Sequence, residues 1–340
     1  MQNNRSASLI KSSLSITVVL LVCKTLSFVR DMLLANYLGA SELSDVFLAS
    51  SGVLFLFTSF VLSPFSASYL PIATEHYLHD PERGRSPFFA KLYSAAFALG
   101  AVFLLMMFLF LRPLVELMVP GFSPEAKTQL ADMLLLQLPV LLFVMLSSVV
   151  DGNLRLLGRL SLAESSNGVI ALVYVLYLLL FRHHITAVGL GLSTVAAYGA
   201  ALLLCASVTA HGGIPLRLRR FSCKDPEIRE IFLATLPFML VSCTSQINSM
   251  VDRIVASLLD SGSVTIQSYA SKMTVTEVGL ISTAVSMVIF VQASRLSAEH
   301  DTGGLEELVS SGLKFVSFLV IPCCVGTILY RYEIISVLFG

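Results

Sequence analysis

The sequence predicts an all-α polytopic membrane protein, built as a two-lobe transporter with a parallel internal repeat. First, 56% of the 340 residues are apolar and 13% are charged, whereas soluble domains usually carry about 25% charged residues. Second, the apolar residues gather in long runs, and the mean hydropathy is +0.83. Third, a segment near the N-terminus recurs in the second half of the chain. Together these observations exclude an ordinary soluble domain.

The apolar runs have roughly the length that crosses a bilayer, about 20 residues. The second and eighth runs are longer, which indicates tilt or extension beyond the bilayer. The first six form a transmembrane lobe over residues 1–210, and the last three form the first half of a second lobe over residues 231–340. The nine predicted spans lie near residues 12–30, 46–72, 90–111, 131–150, 163–181, 186–209, 231–257, 264–294 and 309–330.

The charged loops orient the spans. With the N-terminus in the cytoplasm, the inner loops carry more than twice as many Lys and Arg residues as the outer loops, which is the bias of the positive-inside rule. We therefore predict a cytoplasmic N-terminus. Residues 211–230 form a basic cytoplasmic linker with a run of Arg217, Arg219 and Arg220. This run is either a topology-setting charge cluster or a basic amphipathic helix on the membrane surface.

The repeat relates the first span to the seventh. Repeats of the same orientation build many transporters, whose substrate site lies between the two halves. Because the first copy has six spans and the second shows only three, we expect a fragment of a longer protein or a truncated product. The matched pairs are Asp31 with Asp252, Ala35 with Ala256, and Leu38 with Leu259.

Two lysines lie inside predicted spans, where a charge costs about 2.5–3.5 kcal/mol. Lys24 is about 13 residues from Lys11, or roughly 20 Å of helix, which is too deep for an easy snorkel to the cytoplasmic side. We expect Lys24 to face a cavity, whereas for Lys272 snorkelling and a cavity-facing role are both open. Two cations facing one cavity would suit a pyrophosphate or another anionic head group.

Four acidic residues are candidates for gating or ion coupling. Asp31 and Asp252 lie beside Arg30 and Arg253, and each pair is either an ion pair that ends a helix or part of a functional site. Asp45 follows the Gly39-Ala40 turn and would cap the second helix through its side chain. Glu277 is the leading candidate for a proton-coupling carboxylate, although a hydrogen-bonded structural role is an alternative.

Several function classes are not indicated. The six His residues show no HExxH spacing, and the sequence contains no Walker loop, GxGxxG fingerprint or Ser-His-Asp order. We therefore predict no metal, no cofactor and no enzymatic activity. The net charge is zero, which gives no reason to expect a nucleic-acid partner.

A family pattern runs through the first span and the turn after it. The pattern is an Arg, then Gly-Phe-x-Arg-Asp, then Gly-Ala and Asp-Ala-Phe. The chain has Lys24 at the Arg position, then Ser27-Phe28, Arg30-Asp31, Gly39-Ala40 and Asp45-Val46-Phe47. Further matches are Pro120-Gly121-Phe122, Gln246-Ile247-Asn248, Asp252-Arg253 and Tyr269-Ala270, with Lys272 where the family has Arg. On these residues the chain resembles the lipid II flippase family of the MurJ/MviN type, within the multidrug, oligosaccharidyl-lipid and polysaccharide exporter superfamily.

The chain departs from this family at informative positions. The second span has Phe57-Thr58-Ser59 and Ser63 where the family has an Arg pair and a Glu, and Glu277 stands in place of a Pro. Lys replaces Arg at positions 24 and 272, which loses the bidentate fork that Arg offers a phosphate. We therefore expect a divergent relative.

The resemblance implies a flippase of the bacterial inner membrane that moves a polyprenyl-pyrophosphate-linked glycan, lipid II or a related precursor, by alternating access. Its expected partners are that glycan, the membrane lipids, and a coupling cation or the membrane potential. The alternatives are a cation-coupled drug exporter and a truncated, transport-dead membrane protein. The resemblance implies phosphate binding by Lys24, Arg30, Arg253 and Lys272, and gating or ion coupling by Asp31, Asp45, Asp252 and Glu277.

Overall fold

All regular secondary structure in the computed structural model is α-helical, within the residues that it describes: 2–79, 87–214, 216–222, 225–274, 289, 293 and 301–339. The all-α prediction is confirmed. The helices are α1 (Gln2–Leu38), α2 (Glu42–His79), α3 (Pro87–Leu109), α4 (Leu111–Met118), α5 (Pro124–Leu156), α6 (Leu160–Leu180), α7 (Ala187–His211), α8 (Pro226–Ser257), α9 (263–274), α10 (Thr302–Leu329) and α11 (Arg331–Phe339).

Seven helices in the described part of the chain are long and apolar enough to cross a membrane. They correspond to the second to seventh and the ninth predicted spans, so the chain is a multi-pass membrane protein. The first predicted span lies within α1. The eighth, near 264–294, lies mostly outside the described residues, and only its beginning is seen as α9.

The turn between α1 and α2 has specific local chemistry. Gly39 has a φ of 58°, a conformation that glycine adopts without the steric cost of a side chain. The Oγ of Ser41 accepts a hydrogen bond from the N–H of Ser44 at 3.3 Å, so Ser41 caps α2. The predicted capping role of Asp45 is therefore wrong, because α2 begins at Glu42 and Asp45 lies within its first turn.

The described residues fall into two compact units, and the first unit extends to Val264. Its centre is α5, which packs against α2, α3, α6 and α7, while α1 packs on α6 and α8 packs on α2. Helices in lipid associate by close van der Waals packing, which small residues permit. Accordingly, α5 meets α2 where Gly152 lies under the ring of Tyr69, and α1 meets α6 where Cys23 lies over Gly168.

The second unit comprises the described residues from Thr265 onwards. It contains most of α9 together with α10 and α11. The first turn of α10 is capped by Asp301, whose Oδ1 accepts a hydrogen bond from the N–H of Gly304 at 2.9 Å. The predicted division into lobes at residues 211–230 stays a prediction.

Candidate functional site

Lys24 lies on the exposed side of α1. Its neighbour Cys23 is 7% exposed and packs against Gly168 of α6, which turns the lysine away from the helix packing. Within the part of the chain that the structure describes, no hydrogen bond or ion pair involves its ammonium. The cavity-facing role of Lys24 stays a prediction.

Arg30 and Asp31 form an ion pair, as one of the two predicted alternatives stated, but the pair does not end the helix, because α1 continues to Leu38. The Nε and Nη2 atoms of Arg30 lie 3.0 and 2.9 Å from Oδ1 of Asp31. The Arg30 guanidinium also lies over the ring of Tyr174, 5.7 Å from its centroid. A cation over an aromatic face gains about 0.5–2 kcal/mol. This arrangement balances the charge of Arg30 on α1 and ties it to α6.

A buried polar network continues from Tyr174 into the first unit. The Tyr174 hydroxyl lies 2.7 Å from Oγ1 of Thr194 on α7, and Nε2 of Gln137 on α5 lies 3.1 Å from the same oxygen. Gln137 is fully buried, so the network joins three helices at membrane depth. The sequence analysis missed these residues, although polar side chains inside apolar spans were the available signal.

Asp45 joins α2 to the loop that follows α8. Its side chain is buried, and Oδ2 accepts a hydrogen bond from the N–H of Gly262 at 2.6 Å. Gly262 has a φ of 95°, and an added Cβ there would lie 2.8 Å from the carbonyl oxygen of Ala40. The loop after α8 therefore rests directly on the turn between α1 and α2.

A third loop closes on the same place. A Cβ added to Gly121, in the loop before α5, would overlap the backbone of Ser257 and Leu258 at the end of α8. The Ser123 hydroxyl also donates to Oε1 of Glu42 at 2.8 Å. We call this meeting of residues 39–45, 119–123 and 257–262 the loop cluster.

Arg253 points from α8 at the backbone of α2. A methyl group at Gly52 would overlap the Arg253 guanidinium, so the absence of a side chain at position 52 makes the space for it. The Nε of Arg253 is buried and has no hydrogen-bond partner among the described residues. Asp252 is exposed and no ion pair joins it to Arg253 among the described residues. The ion-pair alternative for Asp252 and Arg253 is therefore wrong, because the Arg253 guanidinium lies against Gly52 of α2 whereas Asp252 is exposed.

At the other end of α2 and α8, hydroxyl groups join the two helices. The Oγ of Ser68 lies 2.6 Å from Oγ1 of Thr235, and both residues are buried. Ser68 is 16 residues after Gly52, or about 24 Å of helix. Since a bilayer core is about 30 Å thick, α2 and α8 are in contact over most of a membrane crossing. We call this contact, from Asp45 to Ser68 on α2, the α2–α8 seam.

The linker before α8 is anchored to α3. Lys91 Nζ lies 3.3 Å from carboxylate oxygens of both Asp225 and Glu227, and the backbone N–H of Arg219 donates to the buried Oγ of Ser94 at 2.7 Å. The pKa of Asp225 is held below its ordinary value, first by the backbone N–H of Ser222 and then by Lys91.

The linker is not helical over residues 216–222. The predicted alternative of a basic amphipathic helix is therefore wrong for these residues, and the exposed side chains of Arg217, Arg219 and Arg220 lie on non-helical backbone. Without a helix, the basic and apolar residues are not gathered onto separate helix faces, as surface binding by an amphipathic helix requires.

The remaining predicted residues lie in the second unit or beyond the described chain. Lys272 Nζ lies 5.5 Å from the centroid of the Tyr269 ring, one turn earlier on α9. Glu277 lies outside the described residues, so its proposed coupling role has no structural description. The structure thus pairs Arg30 with Asp31 and places Asp45 and Arg253 on one seam. Lys272 belongs to the second unit.

Comparison with known proteins covers nearly the whole chain. The model of the family described as lipid II flippase MurJ matches residues 34–340. A protein of Vibrio cholerae serotype O1 described as "Probable lipid II flippase MurJ" is 25% identical over 346 residues, covering 98% of this chain and 66% of the relative. A protein of Rhizobium tropici with the same description is 25% identical over 344 residues, covering 98% of this chain and 64% of the relative. The chain thus spans about two thirds of the length of these relatives.

Solved structures share the fold. The structure described as "Lipid II flippase MurJ, inward closed conformation" has a TM-score of 0.74 at 22% identity and covers 95% of this chain and 67% of that chain. An inward-facing multidrug resistance MATE family transporter of the MOP superfamily has a TM-score of 0.73 at 18% identity, covering 93% of this chain and 72% of that chain. At these identities the likeness concerns the fold alone.

Proposed function

Because the chain belongs to the lipid II flippase MurJ family, we propose that it takes part in moving a polyprenyl-pyrophosphate-linked glycan, lipid II or a related cell-envelope precursor, across the bacterial inner membrane. The observation that carries the proposal is the family match over residues 34–340. This is a family of transporters rather than enzymes, so the proposed work is binding and release without bond breaking.

The proposed mechanism is alternating access, in which the α2–α8 seam opens at one end at a time. The seam is now closed at both ends, by Asp45 and Gly262 at the loop cluster and by Ser68 and Thr235 near the linker. The bond between the Ser68 and Thr235 hydroxyls adds about 0.5–1.5 kcal/mol net, and the bond from the Gly262 N–H to the Asp45 carboxylate adds about 1.5–3 kcal/mol. Contacts of this size suit a seam that must part and re-form within a transport cycle.

The proposed phosphate-binding residues are Lys24, Arg30, Arg253 and Lys272. Arg253 is supported by its buried Nε, which has no partner in the described part of the chain, since a buried guanidinium without a counter-ion is stabilised by an incoming anion. Lys24 is supported by its exposed side chain on α1, for which the described residues provide no ion-pair partner. Arg30 would have to exchange Asp31 for phosphate, because Asp31 already occupies two of its N–H groups.

The proposed gating and coupling residues are Asp31, Asp45, Asp252 and Glu277. Asp45 has the clearest support, since its buried carboxylate closes the loop cluster. A coupling cation or the membrane potential would drive the cycle, and a cytoplasmic N-terminus fits the charge bias of the loops. No cofactor is proposed.

The test is binding of a polyprenyl-pyrophosphate-linked sugar to the purified 340-residue chain in nanodiscs, followed by native mass spectrometry. We expect Lys24→Ala to weaken binding about tenfold or more, because a hydrogen bond to a charged group adds about 1.5–3 kcal/mol. The matched control is Lys127→Ala, which removes a lysine that pairs with Glu116 outside the proposed site. In cells, Lys24→Ala should abolish glycan export while the protein stays folded in the membrane.

The rival functions give different results in the same system. A drug exporter would bind a cationic dye and show no preference for the pyrophosphate lipid over its monophosphate analogue. A transport-dead membrane protein would bind neither. Equal affinity of the wild type and Lys24→Ala for the pyrophosphate lipid would contradict the proposal.

A further inference from the structure

The segment that joins α7 to α8 carries a concentration of positive charge that the proposed transport site does not use. Arg217, Arg219 and Arg220 fall within four consecutive residues, and all three side chains are exposed. The helices on either side are each long and apolar enough to cross a membrane. The segment between them therefore lies at a membrane surface, whichever way the chain is oriented.

Buried contacts hold this segment against the ends of the helices. Ile214 is fully buried in a core cluster that includes Phe88 of α3, and Leu216 packs against a second core cluster. The backbone N–H of Arg219 donates to the buried Oγ of Ser94 at 2.7 Å. Because these partners hold the backbone, the guanidinium groups are not needed to fix the segment and stay at the level of the helix ends.

No acidic side chain in the described part of the chain neutralises these arginines. The acids nearest in sequence are Asp225 and Glu227, and both carboxylates lie 3.3 Å from Nζ of Lys91. The next acid, Glu230, is exposed beside the equally exposed Arg229. Among the described residues, none forms an ion pair or a side-chain hydrogen bond with the three arginines. Planar guanidinium groups in this condition suit phosphate, which they can bind through two parallel hydrogen bonds.

The surroundings of the arginines favour a lipid phosphate over a soluble one. Leu218, which lies between Arg217 and Arg219, is 62% exposed. Phe232 and Leu233, in the second turn of α8, are also exposed and continue an apolar surface away from the linker. An anionic phospholipid offers a phosphate to the arginines and apolar atoms to the leucine, whereas a soluble anion or a nucleic acid would leave this apolar surface in water.

We propose that residues 216–222 are a binding surface for the headgroups of anionic phospholipids, in which Arg217, Arg219 and Arg220 bind the phosphate and Leu218 contacts the apolar part of the lipid. The segment binds from a backbone that is already fixed, so no helix has to form on the membrane surface. The attraction should weaken with salt, because the Debye length falls from about 10 Å at 0.1 M to about 3 Å at 1 M.

The test uses a fluorescent reporter in the intact chain. The sequence contains no tryptophan, so Leu218→Trp introduces a single one beside the arginines. The protein is reconstituted into vesicles of phosphatidylcholine and phosphatidylglycerol, in which one lipid or the other carries quenching bromines near its headgroup. We expect brominated phosphatidylglycerol to quench this reporter at about a fivefold lower mole fraction than brominated phosphatidylcholine, the enrichment that one arginine near the surface provides. The vesicles contain no lipid-linked glycan, so the result does not depend on the transport proposal.

Two controls separate the segment from the rest of the chain. Val188→Trp places the reporter at the opposite end of α7, at a position that is 61% exposed and has no Lys or Arg within four residues. There the two brominated lipids should quench equally. In the Leu218→Trp background, replacing Arg217, Arg219 and Arg220 by Gln should abolish the preference. Replacing Arg112, Arg182 and Arg331 by Gln removes the same charge from other exposed positions and should preserve it.

Three outcomes would overturn the proposal. They are equal quenching of Leu218→Trp by both lipids, a preference that survives the loss of the linker arginines, and a preference that is unchanged in about 1 M salt. Loss of the preference on adding inorganic phosphate, at an ionic strength matched with sodium chloride, would assign the arginines to a soluble anion instead. Size-exclusion chromatography and circular dichroism establish that each variant is folded. The salt series needs the reporter variant alone, so it decides the matter even where a triple variant fails to fold.

Discussion

Individual glycines determine how closely α8 and its loops approach α2. Gly52 and Gly121 both lie where a methyl group would overlap another part of the chain, but the two overlaps differ in kind. At Gly52 the overlapped group is the mobile end of the Arg253 side chain. At Gly121 it is the backbone of Ser257 and Leu258, which cannot move without disturbing the end of α8.

This difference predicts an order of stabilities. Gly121→Ala should lower the free energy of unfolding by about 1–3 kcal/mol, the usual cost of overpacking. Gly52→Ala should cost about 1 kcal/mol, since the guanidinium can rotate away. The measurement is the midpoint of thermal unfolding in detergent, with all variants at the same protein concentration.

The control for this series is Gly199→Ala in α7. The atoms nearest to a Cβ at that position belong to the Phe143 ring, starting at 3.4 Å, and alanine favours the helix over glycine by about 1 kcal/mol. We expect this variant to equal or exceed the wild type in stability. A Gly52→Ala midpoint below that of Gly121→Ala would contradict the structural order.

At the same scale, the sequence singled out some of the candidate residues and missed others. Arg30 with Asp31, Asp45 and Arg253 were singled out because charges in apolar spans are conspicuous, and their functional roles stay predictions. Gly52 was missed because the sequence does not show which side chain packs against a glycine. The two Arg-Asp pairs, which the repeat aligns, differ in their contacts. Arg30 forms a hydrogen bond to Asp31, whereas the Arg253 side chain lies against the backbone of α2.

Among the helices, the α2–α8 seam is the feature that brings candidate residues Asp45 and Arg253 onto one helix contact. The two helices run antiparallel, because Gly52 early in α2 meets Arg253 late in α8, and Ser68 late in α2 meets Thr235 early in α8. Prolines interrupt both partners, at Pro64 and Pro71 in α2 and at Pro237 in α8. Each proline removes a backbone hydrogen bond, so bending is easiest near the linker end of the seam.

The seam predicts a cross-link that arrests transport. In a background without native cysteines, Ser68→Cys and Thr235→Cys together should form a disulfide on mild oxidation, because the two hydroxyl oxygens are 2.6 Å apart. The locked seam should block glycan movement in proteoliposomes, and reduction should restore it. Each single cysteine variant is a control and should transport whether oxidised or reduced. Full transport by the oxidised pair would show that this end of the seam does not open.

Helix existence was predictable from the sequence, whereas helix ends were not. Apolar runs locate most spans, but α5 extends past its apolar run to Leu156 because Asp151, Asn153 and Arg155 continue the helix. Asn153 is fully buried there and accepts a hydrogen bond from the Tyr69 hydroxyl. A buried hydrogen bond of this kind allows a helix to continue through polar residues. Hydropathy alone cannot predict such a bond, because the partner lies on another helix.

For the whole molecule, family membership and fold agree, and the resemblance found in the sequence is confirmed by the family match over residues 34–340. The solved structures with similar folds include both a lipid II flippase and multidrug transporters. Fold therefore does not distinguish the substrates. We propose that the distinction depends on Lys24 and Arg253, two cations that would suit an anionic substrate.

The predicted orientation of the spans can be tested by the side of the membrane on which two loops lie. The positive-inside rule places the linker with Arg217, Arg219 and Arg220 in the cytoplasm and the loop after α6 outside. In a cysteine-free background, Arg219→Cys should therefore react with a membrane-impermeant maleimide only after the cells are opened. Arg182→Cys should react in intact cells, because both side chains are exposed and an odd number of predicted crossings separates them. The reverse pattern would place the N-terminus outside and would invert the direction in which the α2–α8 seam admits its substrate.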